Sequence, residues 1–264
     1  MKHLKSSLKD LQELFEHSVI LKHIAEPLSS FDAEQLSTEV RRFMEKKDYD
    51  VVGVRQDGSV SGYARKSDLT GGVLGDHLLG FEPDDLLPVT TPLVKVLEAI
   101  HKSSRAFVLV LGEVGGIVTR GDFQKAPVRM WLFGLISLFE MQLLRIIRAN
   151  YQDDSWKSLI KEKRLAEAED LFAKRKLRNE AIDLLDCLQF CDKRDIVLKN
   201  EELRRSIGFE SKTSGEEILK PLENLRNNLS HSQDIITEHW PVIVELVAKA
   251  EEILHKCEEV NLRP

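Results

Sequence analysis

Gly62-Tyr63-Ala64-Arg65-Lys66-Ser67-Asp68-Leu69 returns about 55 residues later as Gly116-Ile117-Val118-Thr119-Arg120-Gly121-Asp122-Phe123. Reading backwards from each octet gives the same order of elements. Before the first lie a β-type run at 51–55, the turn Gln56-Asp57-Gly58 and a second run at 60–64. A helix over 33–47 with Leu36, Val40 and Phe43 inward precedes them, led in by the extended stretch VILKHIAEPLSSF. Before the second octet come a helix over 92–102, a strand at 106–111, a turn at Gly112-Glu113 and a strand at 114–118. A repeat of this β and α order predicts two copies of one small α/β unit. The glycine-rich run TGGVLGDHLLG between them lacks a Gly-Lys-Ser/Thr ending and reads as a flexible connector.

The doubled octet resembles the ends of CBS motifs, which pair in tandem into a module that commonly binds adenine nucleotides (AMP, ADP or ATP) in clefts between the motifs. The resemblance covers about 110 residues. It implies that Asp122 accepts from ribose hydroxyls while Thr119 reaches the sugar or phosphate, with backbone N–H groups at the following helix start adding to a phosphate site. The first copy departs from the pattern, with Arg65 where a hydroxyl is expected. Arg65 could still meet a phosphate, but two identical nucleotide sites are not expected. Asp68 and Asp122 have a plainer reading as N-caps of the next helix.

Pro127 marks a change of texture, and every long segment beyond it reads as helix. The first, 128–151, is the most apolar, with Glu140, Arg145 and Arg148 as its exceptions. A second helix, 155–177, ends in Lys174-Arg175-Lys176-Leu177-Arg178, which complements the negative end of a helix dipole or could track an RNA backbone. Helices follow at 179–190 and 193–206, the latter stopped by Gly208. Ser214 to Glu217 is a capping box for a helix that contains Pro221, and a last helix covers 238–258. Near the N-terminus, Leu4, Leu8, Leu11 and Phe15 share one face of a short amphipathic helix.

The helix with Pro221 carries Glu223-Asn224-Leu225-Arg226-Asn227-Asn228-Leu229-Ser230-His231. Ile218, Leu222, Leu225 and Leu229 anchor it inward, so Arg226, Asn227 and His231 are offered outward. A guanidinium forks onto phosphate and an imidazole trades protons near neutral pH, the minimum for cleaving a phosphodiester through its 2′-hydroxyl without a metal. Arg226-Asn227, three residues, then His231 resembles the signature of the HEPN superfamily of helical domains, many of which are endoribonucleases. That resemblance implies a two-fold dimer, because one helix sets Arg226 and His231 about 140° apart. It also implies a polar contribution from the first helix, for which Glu140 is the candidate. Otherwise Glu140 is a buried carboxylate paired with an Arg of a neighbouring helix.

The chain of 264 residues is thus read as α+β and multidomain: an N-terminal helix (1–18), a tandem CBS-like α/β pair (19–126, halves 19–70 and 86–126) and an all-α bundle of HEPN type (127–264). A net charge of −6 excludes a general nucleic-acid coater, so any RNA contact is local and no DNA partner is expected. Cys187, Cys191 and Cys257 have no metal-type spacing and read as reduced thiols of a cytoplasmic protein; no metal is expected. No signal peptide is recognised, and the nearest approach to a membrane span, 130–144, is short and interrupted by Glu140 and Gln142. Two functions follow. One is a toxin- or defence-like, nucleotide-regulated, metal-independent endoribonuclease acting as a homodimer. The other is a non-catalytic nucleotide-sensing regulatory protein whose helical part only binds partners or RNA.

Overall fold

Two-residue turns in which both residues take positive φ twist in the same sense as antiparallel strands, and two such turns organise the N-terminal half. The computed structural model describes residues 9, 10, 13, 14, 18–231, 233–235 and 240–261. Leu4, Leu8, Leu11 and Phe15 of the expected N-terminal helix lie outside them. The chain divides into Leu14–Val128 and Arg129–Pro264, the latter joined by the few described residues before Leu14.

The first unit contains β1 (Glu26–Pro27), β2 (Ser30–Asp32), helix α1 (Ser37–Lys47), β3 (Val51–Gln56), β4 (Ser59–Arg65), β5 (Leu86–Pro88), helix α2 (Leu93–Lys102), β6 (Arg105–Val110) and β7 (Glu113–Thr119). In the first copy β2 pairs parallel with β3 and β3 antiparallel with β4; β5, β6 and β7 repeat this in the second. A parallel pair needs a crossover, and α1 and α2 supply it. Each hairpin even carries its register shift at the same place, Val54/Arg55 and Val108/Leu109. The copies interlock: β1, upstream of the first copy, pairs antiparallel with β7 of the second, so the sheets run β2-β3-β4 and β1-β7-β6-β5. The expected lead-in is therefore split between two sheets.

Asp57 and Gly58 (φ 51 and 85) make the first turn as expected. The second falls one residue earlier than expected, at Leu111 and Gly112 (φ 53 and 91), with Glu113 already in β7. Helix α1 starts at Ser37 rather than residue 33, because the Ser37 N–H that would close a first turn on the Ala33 carbonyl donates to Gly72, and that carbonyl accepts from Gly75. Its inward face is Ser37, Val40 and Met44; Leu36 is exposed and Phe43 half-buried. Val40 and Met44 close on Val52, Val54, Ala64, Leu69 and Leu74, each of the larger side chains stabilising by about 1.5–3 kcal/mol. Leu74 belongs to the run read as a flexible connector. That run is instead packed: it makes a 3₁₀ turn at Leu74–His77, and Leu79 exchanges backbone hydrogen bonds with Tyr63.

The second unit is helical: α3 (Ala126–Asn150, opening in the first unit's last residues), α4 (Glu162–Lys176), α5 (Phe190–Lys199), α6 (Glu201–Ser206), α7 (Lys212–Ser230) and α8 (Trp240–Asn261). By length and composition α3 could cross a membrane, contrary to the expectation that no window comes close, but 56% of its apolar window is buried inside the protein. The helix expected over 179–190 is not one. Asn179 turns the chain at φ 58, and Asp183 and Asp186 close a 3₁₀ turn instead. Asn200 is extended and caps α6 through the Leu203 N–H, splitting the expected 193–206 helix. The capping box of α7 is Ser211 with Ser214, three residues before the expected start, and α7 runs on through Pro221. Its buried stripe is Leu219, Leu222, Leu225 and Leu229, with Ile218 half-buried.

Three consecutive residues of α5 tie this unit together. Asp192 accepts from Arg164 of α4, Lys193 donates to Glu140 of α3, and Arg194 donates to Glu223 of α7.

Candidate functional site

At the end of β7 the chain makes a 3₁₀ turn over Arg120–Gln124. The Thr119 N–H and hydroxyl both donate to Asp122 Oδ2, at 2.7 and 3.0 Å. Lys125 meets Asp122 Oδ1 at 2.9 Å and also holds the Ile24 carbonyl and Glu26. Burial works against the Lys125 charge, but Asp122 and Glu26 outweigh it and hold its pKa above the ordinary value. Asp122 is 7% exposed, and three of its roughly four acceptor positions are filled from within the chain. Lys125 thereby joins the end of β7 to the strand β1 beside it.

Against this turn opens a cavity of about 650 Å³, walled by residues 26–29, 48–51, 104–105, 117 and 119–122. Its four carboxylates share two lysines: Lys125 contacts Glu26 and Asp122, and Lys66 contacts Asp50 at 3.3 Å and Asp48 at 4.0 Å. Among the described residues, Arg105 and Arg120 line it without a carboxylate partner. Leu28, Val51 and Ile117 supply apolar wall, and Tyr49, 39% exposed, rests edge-on against Phe43 at the rim.

The corresponding end of β4 is built differently. Asp68 is exposed, accepts among the described residues only from the Ser67 hydroxyl at 2.7 Å, and stands in a turn with no helix starting beside it. The Arg65 guanidinium lies 3.5 Å from the Tyr63 hydroxyl and 6.0 Å from its ring centroid. Tyr63 stacks on Phe81 at 5.9 Å and packs on Phe107 at 4.9 Å. A second cavity of about 450 Å³ opens here, lined by Arg41, Glu45, Asp50, Val51, residues 65–67 and Arg105.

Of the helical candidates, Arg226 is half-buried and donates to its neighbour Asn227 at 3.3 Å; Asn227 and His231 are exposed. The His231 N–H closes the helix on the Asn227 carbonyl. Arg129 donates to the carbonyls of Asn228, Leu229 and Gln233, capping the end of α7 where its dipole is negative. Glu140 is held at 2.7 Å by Lys193, a lysine rather than an arginine. The cavity beside α7 is lined by Pro221, Asn224, Leu225 and Asn228, with none of Arg226, Asn227 or His231. The basic end of α4 is occupied: Lys174 pairs with Asp170, Arg175 with Glu180, and Lys176 lies over the Phe172 ring. Cys187 and Cys191 are free thiols, Cys257 is buried, and among the described residues no group of His, Cys, Asp and Glu is arranged to hold a metal.

Sequence reasoning missed Lys125, Lys66, Arg105, Arg120 and Tyr49. Lys125, three residues after Asp122, was the one visible signal; the first copy has Gly71 at the matching place. The others join through contacts between distant segments.

No family model and no curated protein matches the chain. Solved structures do. An uncharacterised conserved protein from Pyrococcus horikoshii is 21% identical over 40% of this chain and 90% of its own, with a TM-score of 0.36. CBSX2 in complex with AMP, from Arabidopsis thaliana, is 18% identical over 42% and 97%, TM-score 0.37. The CBS domain of a bacterial CNNM/CorC family Mg2+ transporter in complex with ATP is 17% identical over 42% and 88%, TM-score 0.35. Identities and scores this low carry no contact and no role across to this chain. The neighbours are CBS-domain proteins that account for about 40% of it, and none of these likenesses carries the HEPN resemblance of the helical half.

Proposed function

We propose that the chain is a nucleotide-sensing regulatory protein whose first unit binds an adenine nucleotide in the cavity at the end of β7. The observation that carries this is the pairing pattern in that cavity: Lys66 and Lys125 each contact two of its four carboxylates, and Arg105 and Arg120 stand in the wall with no carboxylate in contact among the described residues, turned to an anion. About 650 Å³ is within the range of small-ligand pockets. In this reading the purine lies on Leu28, Val51 and Ile117 beside the Tyr49 ring, and the phosphate meets Arg105 and Arg120. Thr119, its proton committed to Asp122, accepts from a ribose hydroxyl, while Asp122 and Lys125 fix that geometry. Arg120→Ala, at an exposed residue, should weaken AMP by about 10-fold, and Thr119→Val should do the same in equilibrium dialysis. Unaltered binding in both variants would sink the assignment.

A second reading gives the helical unit metal-independent endoribonuclease activity in a homodimer, with Arg226, Asn227 and His231 of two copies meeting. What favours it is that Arg226, among the described residues, has no carboxylate partner, next to an exposed His231. Labelled single-stranded RNA incubated in EDTA tests it. Cutting that disappears in His231→Ala supports the nuclease, and equal background in both chains removes it.

A further inference from the structure

The two cavities of the first unit have three wall residues in common, Asp50, Val51 and Arg105. One guanidinium therefore stands between them. Arg105 lies 5.4 Å from the Tyr63 ring centroid and Arg65 lies 6.0 Å from the same ring, so the second cavity begins where the first one ends. The second cavity is not a copy of the first. Beside β4, the place matching residues 26–29 is filled by Phe81, which packs on Tyr63 and Phe107, and by Leu79, which pairs with the Tyr63 backbone. What remains there is polar. Of its cations, Arg41 is engaged by Glu45 and Lys66 by Asp50, while Arg65 and Arg105 make no ion pair among the described residues. This also accounts for the departure noted in the sequence, an arginine at position 65 where the second copy has Thr119.

From this geometry we infer that the ligand is a nucleoside polyphosphate: its nucleoside occupies the larger cavity, its phosphate chain crosses Arg105, and Arg65 reads the terminal phosphate in the smaller one. The inference rests on the nucleotide reading above and adds to it the number of phosphates. A monophosphate is satisfied by Arg105 and Arg120 alone; a di- or triphosphate gains the third guanidinium, a charge-assisted contact that a monophosphate is too short to make.

Calorimetry of the full chain with AMP, ADP and ATP in EDTA tests it. ATP should bind about 10-fold tighter than AMP at low salt, and Arg65→Ala should cost ATP about 10-fold more than it costs AMP, with Arg65→Lys intermediate. Arg65 is exposed, so the variant folds, which the melting temperature verifies. Equal affinities for AMP and ATP, or equal losses in Arg65→Ala, would overturn the inference and leave the nucleotide reading standing. If none of the three nucleotides binds the natural chain, both fall.

Discussion

Replacing Lys193 by Met removes the one cation that pairs with Glu140 among the described residues and puts a side chain of similar length in its place. The Lys193 side chain is 7% exposed and that of Glu140 is 20%, with 2.7 Å between them. Breaking a fully buried pair by removing one partner costs about 3–5 kcal/mol, because a charge is left behind without water or partner. Glu140 retains some solvent, which lowers the expected cost to about 2–4 kcal/mol. For a unit of this size that is a fall of roughly 10 °C in Tm. Trp131, Trp156 and Trp240 are all buried in the helical unit and the first unit has no tryptophan, so fluorescence during urea unfolding reads this unit alone. Combining Glu140→Leu with Lys193→Met removes both charges and should return to within about 1 kcal/mol of the natural chain. A loss below about 1 kcal/mol in the single variant, or a double variant as weak as the single, would refute the reasoning.

Three further outcomes are expected. Leu111 holds a left-handed conformation with its side chain in solvent, so Leu111→Asn, giving an Asn-Gly turn, should stabilise the first unit by about 1 kcal/mol in calorimetry without moving the tryptophan transition. Gly62→Ala and Gly116→Ala occupy matching places but should differ. A Cβ at Gly62 would overlap the Leu79 carbonyl, whereas at Gly116 it meets the Glu26 carbonyl at 3.0 Å and Val108 at 3.2 Å, so only the first should cost as much as about 2–3 kcal/mol. Burial opposes the Asp186 carboxylate, but the Asp183 N–H and Arg148 outweigh it and hold its pKa below the ordinary range. A depressed carboxylate contributes stability above its unfolded value of about 3.9 and loses it as pH falls through the folded one. The stability gap between the natural chain and Asp186→Asn in urea should therefore be constant from about pH 7 to 5 and close below about pH 4.

The two α/β copies were legible because their signals are local: period-2 runs, a turn glycine and a helix between them, repeated. What escaped depends on contacts between distant segments. Two residues of β1 carry no strand signal of their own, and their pairing with β7 follows only once the second copy is folded. Met44 rather than Leu36 faces the core because the helix begins four residues late, the backbone groups of its expected first turn being bonded to the run at 72–75. The lysines that contact the cavity's carboxylates come from a turn and from the residue after a 3₁₀ helix, where no motif points. In the helical half, Asp183, Asn200 and Ser211 cap elements whose starts the spacing of apolar residues does not mark. Spacing alone put Asn227 and His231 outward at the end of α7, whereas Arg226 is half-buried.

The central claim, that a nucleotide occupies the cavity at the end of β7, is tested most directly by hydrogen–deuterium exchange with and without ATP. The account predicts slowed exchange in peptides containing residues 48–51, 104–105 and 117–122, with the helical α7 unaffected by direct contact. Protection confined to α7 and α8, or no change at saturating ATP, would contradict it.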